Sequence, residues 1–275
     1  LLYQALTTGL RAYVDKNNFP GVVLGLSGGI DSALTLAIAV DALGPDRVIA
    51  CAMPSRYTAD ISNDDAAQQA KTMGVTLRQL SIEPIFNALL TTINPVVNGK
   101  PLDIVQENCQ SRIRCVLLMA LSNQTGHMLL STSNKSESAV GYTTIYGDMS
   151  GGFAILKDVL KTQVYRLASY RNTISPTIPE RVISRPPTAE LAPNQFDAQS
   201  LPDYDQLDAI ISRYMDGLQD TTTIIAAGFD QQTVHRVVAM IRRNEYKRRQ
   251  APPGLKVSNR AFDRDWRYPL TNHYR

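Results

Sequence analysis

The residues Ser27-Gly28-Gly29-Ile30-Asp31-Ser32 carry the clearest chemistry of this chain. They follow a short apolar run, Val22-Val23-Leu24-Gly25-Leu26. They open a stretch of helix formers, Ala33 to Leu43, that stops at Gly44. The pattern predicts strand, tight turn, helix. The two glycines let the backbone approach a ligand closely and take dihedrals that a Cβ forbids. The amides of the turn and of the helix start then converge on one point, which suits an anion. Ser27 and Ser32 add hydroxyl donors. Asp31 repels a phosphate unless a cation lies between them. Mg²⁺, held by one or two carboxylates together with phosphate oxygens, resolves that conflict.

Other residues could join this site, and each has a plainer reading. Glu137 ends the run Ser131-Thr132-Ser133-Asn134-Lys135-Ser136-Glu137. It shares a cation with Asp31 if their strands are neighbours, or it opens a helix in solvent. Asp148 sits in a second glycine turn, Gly147-Asp148-Met149-Ser150-Gly151-Gly152. It steers an amine nucleophile, or it bonds its own turn. Lys161 stands at a helix start, where it supplies positive charge to a phosphate or lies in solvent. Asn108 and Arg112 are four apart and share a helix face. They bind a ligand or form the wet side of that helix. His127, His235 and His273 make no triad pattern and read as structural or surface residues.

The elements that must position these residues alternate. Arg47 to Met53, Val75 to Ile82 and His127 to Thr132 read as further strands. Helices are expected over Leu1 to Lys16, from a capping box at Ser62-Asn63-Asp64-Asp65 to just before Gly74, over Pro84 to Ile93, and over Val105 to Gln124. In the last, Ile113, Val116, Leu117, Ala120 and Leu121 form the apolar stripe. Strands alternating with helices give an α/β fold, a parallel sheet flanked by helices with right-handed crossovers. Ligands then sit at the carboxyl ends of the strands. The Ser27 loop, Met53-Pro54-Ser55-Arg56 and Thr132-Ser133-Asn134-Lys135 all fall there. Ile174 to Pro202 is rich in Pro, Ser, Thr, Asn and Gln, is expected to hold no regular element, and reads as a lid or a linker. Two helices follow, Tyr204 to Met215 and one after Asp230.

Composition sets the class. No apolar run approaches the roughly 18 residues of a membrane span, and no membrane partner is expected. Cys51, Cys109 and Cys115 are too scattered for a disulfide framework or a zinc site, so a cytoplasmic, reducing setting is expected. No signal peptide is visible, and the chain starts with Leu, so it is expected to be trimmed or cut from a longer protein. Lys and Arg crowd residues 242–267, which suits a phosphate-rich partner, nucleotide or nucleic acid.

The Ser27 loop lacks the Lys of a G-x-x-x-x-G-K-[ST] motif and resembles instead the SGGxDS loop of the PP-loop ATP pyrophosphatases. From Gly25 to about Leu270 the chain resembles the NAD synthetase family. The resemblance is carried by the loop, Glu107-Asn108 with Arg112, Ser131 to Glu137, Tyr146-Gly147-Asp148-Met149, Lys161-Thr162, Pro187-Thr188-Ala189-Glu190-Leu191 and Glu245-Tyr246-Lys247-Arg248. It implies a Rossmann-like three-layer sandwich of the adenine nucleotide alpha-hydrolase type. The 275 residues would be one synthetase domain. Residues 1–172 would be the PP-loop core, 174–202 the lid or linker, and 203–275 the C-terminal helices and basic tail.

The resemblance also implies a reaction, the ATP-dependent amidation of deamido-NAD by ammonia through an adenylated intermediate. Gly25, Leu26, Ser27, Gly28, Gly29, Ile30, Asp31 and Ser32 would bind ATP with Thr132, Lys161 and Thr188; Arg56 is a weaker candidate. Asp31 and Glu137 would hold Mg²⁺. Asn108, Arg112, Glu137, Asp148 and Lys247 would face the dinucleotide or the incoming ammonia. Asp31, Asp148 and Lys161 would carry catalysis. The glycine turn has Gly152 where ammonia-only synthetases carry a second acid. That departure, with the Gln250-Ala251-Pro252-Pro253-Gly254 tail, is similar to the synthetase half of glutamine-dependent enzymes. The resemblance thus implies a homodimer and an N-terminal glutaminase absent from this chain.

Two rivals remain. Another PP-loop enzyme, of the GMP synthetase or tRNA thiolase type, would use the same loop. A DNA-binding protein would use the last helices and the basic tail, but leaves the Ser27 loop without a purpose. No nucleic-acid partner is therefore expected.

Overall fold

The computed structural model describes residues 1–96, 103–193 and 195–271, so His273 lies outside the described residues. Five parallel strands form one sheet: β1 (Val22–Gly25), β2 (Val48–Ala52), β3 (Thr76–Gln79), β4 (Met128–Ser131) and β5 (Phe153–Ala154). Their order is β3-β2-β1-β4-β5. The order reverses at β1, so the loop after β1 opens into the crevice where such sheets bind ligands.

The alternation of side chains along each strand builds two cores. Val22 and Leu24 face one side, where they meet α1 (Leu2–Lys16), α2 (Ile30–Leu43) and α7 (Lys161–Ile174). Val23 faces the other side, with Phe86 of α4 (Glu83–Ile93) and Ile113 and Leu118 of α5 (Asp103–Thr125). Helix α2 is buried almost all round because α1 and α7 cover the flank that the sheet leaves open. Helix α3 (Asp60–Thr72) covers β2 and β3.

A third apolar cluster lies beyond β5. Here α6 (Lys135–Val140) packs with α9 (Tyr204–Ile211), α10 (Thr221–Ala226) and α11 (Gln231–Arg243). The short α12 (Glu245–Arg248) leads into the tail. The tail runs back to the sheet: the Ala154 amide donates to Pro253 O at 2.9 Å, which covers the open edge of β5. A buried lysine fastens it. Lys135, 0% exposed, pairs with Asp158 at 2.9 Å and donates to Ser258 Oγ and Arg260 O. Asp158 also accepts the amides of Val257 and Ser258, both at 2.7 Å.

Several expectations need correction. The third helix starts at Asp60, so Ser62 lies inside it and caps nothing. Its start is capped from a distance instead, because Glu190 accepts the Ala59 amide and the Ser62 hydroxyl. On α5, Val116 is 65% exposed and Ala120 is exposed, while Leu118 is buried. The buried stripe is therefore rotated from the expected one. β5 escaped sequence reading because two residues show no periodicity. Residues 174–202 are not free of regular structure. They hold α8 (Glu180–Ser184), anchored by buried Ile178 and Val182, and a 3₁₀ turn at Asp197–Gln199. The helix Thr221–Ala226, capped by Asp220, was also missed. Among the described residues no helix is long and apolar enough to cross a membrane.

The tail clamp yields a stability prediction. Asp158→Ala strips Lys135 of its nearest counter-charge and removes three acceptor contacts. Urea unfolding should show a loss of about 3–5 kcal/mol, and Lys135→Met with Asp158→Leu should recover much of it. A loss below about 1 kcal/mol for Asp158→Ala would remove the clamp from the fold's stability.

Candidate active site

The β1–α2 turn is built around Gly28. Its φ of +79° is in the left-handed region, and a Cβ there would sit 2.2 Å from Ser62 O. Only glycine fits. The serines satisfy the turn from within: the Ser27 amide donates to Ser32 Oγ at 3.2 Å, and the Gly29 amide to Ser27 Oγ at 3.2 Å. No side chain caps the start of α2. Its first amides are thus available to an anion at the carboxyl end of the sheet.

Asp31, in the first turn of α2, meets residues from two other helices. Lys161 Nζ lies 2.5 Å from Asp31 Oδ2 and 3.1 Å from Glu137 Oε1. The Lys161 side chain is 3% exposed, and its ammonium also lies 5.2 Å from the Tyr204 ring centre. Burial opposes its charge, but Asp31 and Glu137 outweigh burial and raise its pKa. Burial pushes the Glu137 carboxyl up; Lys161 pulls it down and Asp31 adds to the rise. Two carboxyl groups thus share one ammonium.

Helix starts hold these groups in place. Asn134 caps α6 through a capping box with Glu137, and its Nδ2 donates to Asp31 Oδ1 at 2.8 Å. Ser136 Oγ accepts the Lys161 amide and donates to Asp208 Oδ1; Asp208 Oδ2 accepts the Thr162 amide. In the sequence Asn134 stands out only as part of the run Ser131 to Glu137. Its N-x-x-E spacing to Glu137 was the signal that marked it as a cap.

Two cavities meet at this edge. One, about 160 Å³, is polar and is lined by Asp31, Glu137, Lys161, Arg185, Thr188 and Asp197. The other, about 250 Å³, is lined partly by apolar Cys51, Met53, Leu118 and Leu129, with Arg114 and Glu190. Ser27, Thr132, Asp148 and Ala189 line both. Burial lowers the Arg114 guanidinium to about 10, against the pull of Glu190 and Asp148. Asp148 stands at the junction. Its Oδ1 accepts the Thr144 amide at 2.8 Å, and its own amide donates to Ser111 Oγ at 2.9 Å. Surrounding protein raises its carboxyl to about 6, against the Thr144 amide and Lys247. The side chain stays open to the cleft.

The remaining predicted residues sort by distance from this junction. Asn108 Oδ1 accepts the Thr144 hydroxyl, and Arg112 donates to Ile145 O. Both hold the loop that carries Asp148. Lys247 Nζ donates to Gly141 O and Thr143 O of the same loop, and burial lowers its pKa. Arg56 is not brought in: its guanidinium pairs with Glu83 and Asn87 on α4, and it lines neither cavity. Sequence reading gave no role to Arg114, Arg185, Asp197 or Tyr204, and Glu190 enters it only within the run Pro187 to Leu191. Among the described residues no group of three or more His, Cys, Asp or Glu is arranged to hold a metal as it stands.

With this geometry in view, residues 2–251 match the family model described as NAD synthase. The chain belongs to the NAD synthase family. It is 55% identical over 276 aligned positions to a glutamine-dependent NAD(+) synthetase of Acinetobacter baylyi, covering 100% of this chain and 51% of that protein. It is also similar to a solved glutamine-dependent NAD+ synthetase from Acinetobacter baumannii in complex with ADP. That match has 52% identity and a TM-score of 0.67, covering 98% of this chain and 49% of that one. An NMN synthetase from Francisella tularensis is 26% identical with a TM-score of 0.76, covering 90% and 94% of the two chains. The chain spans about half the length of the curated relatives it matches. The parallel sheet with its phosphate-type loop is the PP-loop fold expected of the family.

The tight Gly28 turn supplies a direct check on the loop. Gly28→Ala should cost about 1–3 kcal/mol of stability, through its strained φ and its collision with Ser62 O. ATP binding followed by calorimetry should weaken at least about tenfold. Unchanged affinity would exclude the turn from nucleotide binding.

Proposed function

We propose that this chain amidates deamido-NAD to NAD, consuming ATP and releasing AMP and pyrophosphate. The observation that carries the reading is the cluster of Asp31, Glu137 and buried Lys161 beside the Ser27 loop, opening through Asp148 into a second, partly apolar cavity. The polar cavity suits phosphates and the other suits an aromatic base. Family membership supports the same assignment.

In this reading the loop amides, Ser27, Ser32, Thr132 and Thr188 hold the triphosphate. Asp31 and Glu137 hold Mg²⁺. The residues suit it, since two hard carboxylate oxygens already face one shared cation, the Lys161 ammonium. When bound, Mg²⁺ offsets the charge of the phosphates and of the leaving pyrophosphate. A nicotinate carboxylate oxygen attacks the α-phosphorus, and the bond to the β-phosphate oxygen breaks. Ammonia then attacks the acyl carbon, AMP leaves with the acyl oxygen, and the nitrogen gives up a proton. Asp148 faces both cavities and is the group proposed to orient the ammonia and take that proton. Asn108, Arg112 and Lys247 keep its loop in place.

Ammonia is the proposed direct nitrogen donor at this domain. A glutaminase in the part of the relatives' length that this chain does not span is the proposed source. The partly exposed apolar residues Val105, Val116 and Met119 on α5 are the proposed contact with a second copy. A chain that sediments as a monomer would remove that contact. The likeness to an NMN synthetase favours one second reading, in which the acid is nicotinate mononucleotide.

The assay supplies ATP, Mg²⁺ and ammonium with deamido-NAD or nicotinate mononucleotide. NAD should form with AMP, with deamido-NAD giving the higher kcat/KM. Label from an ¹⁸O-nicotinate carboxylate should appear in AMP. ADP as the product, or label in inorganic phosphate, would mean γ-transfer and defeat the reading. Glutamine should not replace ammonium with this chain alone. Because Asp148 acts ionised, the rate should fall below about pH 6 and recover above it, then keep rising as NH₃ replaces NH₄⁺. In Asp148→Asn that lower limb should vanish and the overall rate drop by roughly 10²-fold or more.

A further inference from the structure

We propose that Lys161 is a resident cation occupying the place of the divalent ion, which displaces it, and that Asp197 is the partner to which it turns. This rests on the reading of Asp31 and Glu137 as the metal ligands.

The ammonium lies 2.5 Å from Asp31 Oδ2 and 3.1 Å from Glu137 Oε1, so it uses the carboxylate oxygens that a metal would need. A monovalent and a divalent cation cannot share those positions without strong repulsion. Lys161 therefore has to move when the metal binds. Its side chain is only 3% exposed, so a short movement keeps the ammonium within the cavity it lines. It needs another acceptor nearby.

Asp197 offers one. It is 5% exposed and lines the same 160 Å³ cavity as Lys161. Its Oδ2 accepts the Tyr204 hydroxyl at 2.8 Å, but its Oδ1 is buried and accepts no hydrogen bond. A buried carboxylate oxygen left bare is costly and calls for a cation or donor. Lys161 is close enough for Asp197 to act on its charge. Asp197 also lies in the 174–202 segment, so the exchange ties metal loading to the part of the chain that covers the site.

Mn²⁺ binding followed by electron paramagnetic resonance, without nucleotide and at alkaline pH, tests the idea. Lys161→Gln should bind Mn²⁺ at least roughly tenfold more tightly than the unaltered chain, since a competing unit charge is gone. Asp197→Asn should weaken binding several-fold, and more so with Lys161 present than in Lys161→Gln, as a double-mutant cycle measures. Unchanged or weaker binding in Lys161→Gln, or an Asp197→Asn effect no larger with Lys161 than without it, would overturn the exchange. If Asp31→Asn fails to weaken Mn²⁺ binding in the presence of ATP, the metal reading itself falls and the exchange with it. If Asp31→Asn does weaken it while Lys161→Gln changes nothing, only the exchange falls. A crystal structure of the unaltered chain with Mg²⁺ and a non-hydrolysable ATP analogue needs no variant to fold. Lys161 Nζ should have left both Asp31 and Glu137; an ion bound with both contacts intact would overturn the proposal.

Discussion

One buried ammonium organises the site. Lys161 draws together Asp31 from the start of α2 and Glu137 from the start of α6, and it does so from the start of α7. Each of these helices follows a different part of the sheet edge. A buried ion pair adds little net stability, because desolvation cancels most of its attraction. Two acids around one base are worse, since both are desolvated for a single ammonium. Such a cluster is poor as structural cement and well suited to receiving a further cation with a polyphosphate.

The short helix α6 shows how closely function and fold are interleaved. Asn134, Ser136 and Glu137 turn to the site, where Asn134 fixes Asp31 and Ser136 fixes the start of α7. Lys135 between them points away and is fully buried against Asp158 and the C-terminal tail. Two lysines thus sit near each other in acidic surroundings with different duties. Lys135 has a full set of partners and anchors the tail. Lys161 has too many acids and stays chemically unbalanced. The tail in turn covers the β5 edge, so the strand that supports the Asp148 loop is held from both sides.

Sequence reading reached as far as local signals reach. Strands β1 to β4 and the long helices follow from periodicity, whereas the switch point at β1 comes only from the strand order of the folded sheet. Asp31, Glu137 and Lys161 stood out because each adjoins a strand end or a helix start with an unusual neighbour. What escaped depends on distant contacts. The start of α3 is set by Glu190, more than a hundred residues away, so no local capping pattern could place it. The face that α5 buries depends on where the sheet lies, not on its own spacing. Asp197 sits in a polar stretch that resembles any loop, and only packing gives it a bare oxygen in a charged cavity. Arg56 has the right place in sequence at the end of β2, yet Glu83 and Asn87 take its guanidinium first.

The segment from Pro187 to Asp197 is where these long-range contacts gather. Ala189 lines both cavities, Thr188 lines the polar one, and Glu190 caps α3. Gln110 on α5 donates to Leu191 O at 2.8 Å, and Asp197 is tied to Tyr204 at the start of α9. Lifting this segment would therefore open both cavities together and leave the Ala59 amide and the Ser62 hydroxyl without their acceptor. The closing contacts are hydrogen bonds and partly exposed charges, such as Arg185 with Glu190 at 4.0 Å, rather than a large apolar seal. Contacts of that kind exchange for water at small net cost. A segment held in this way can lift while the sheet and its buried cores stay intact.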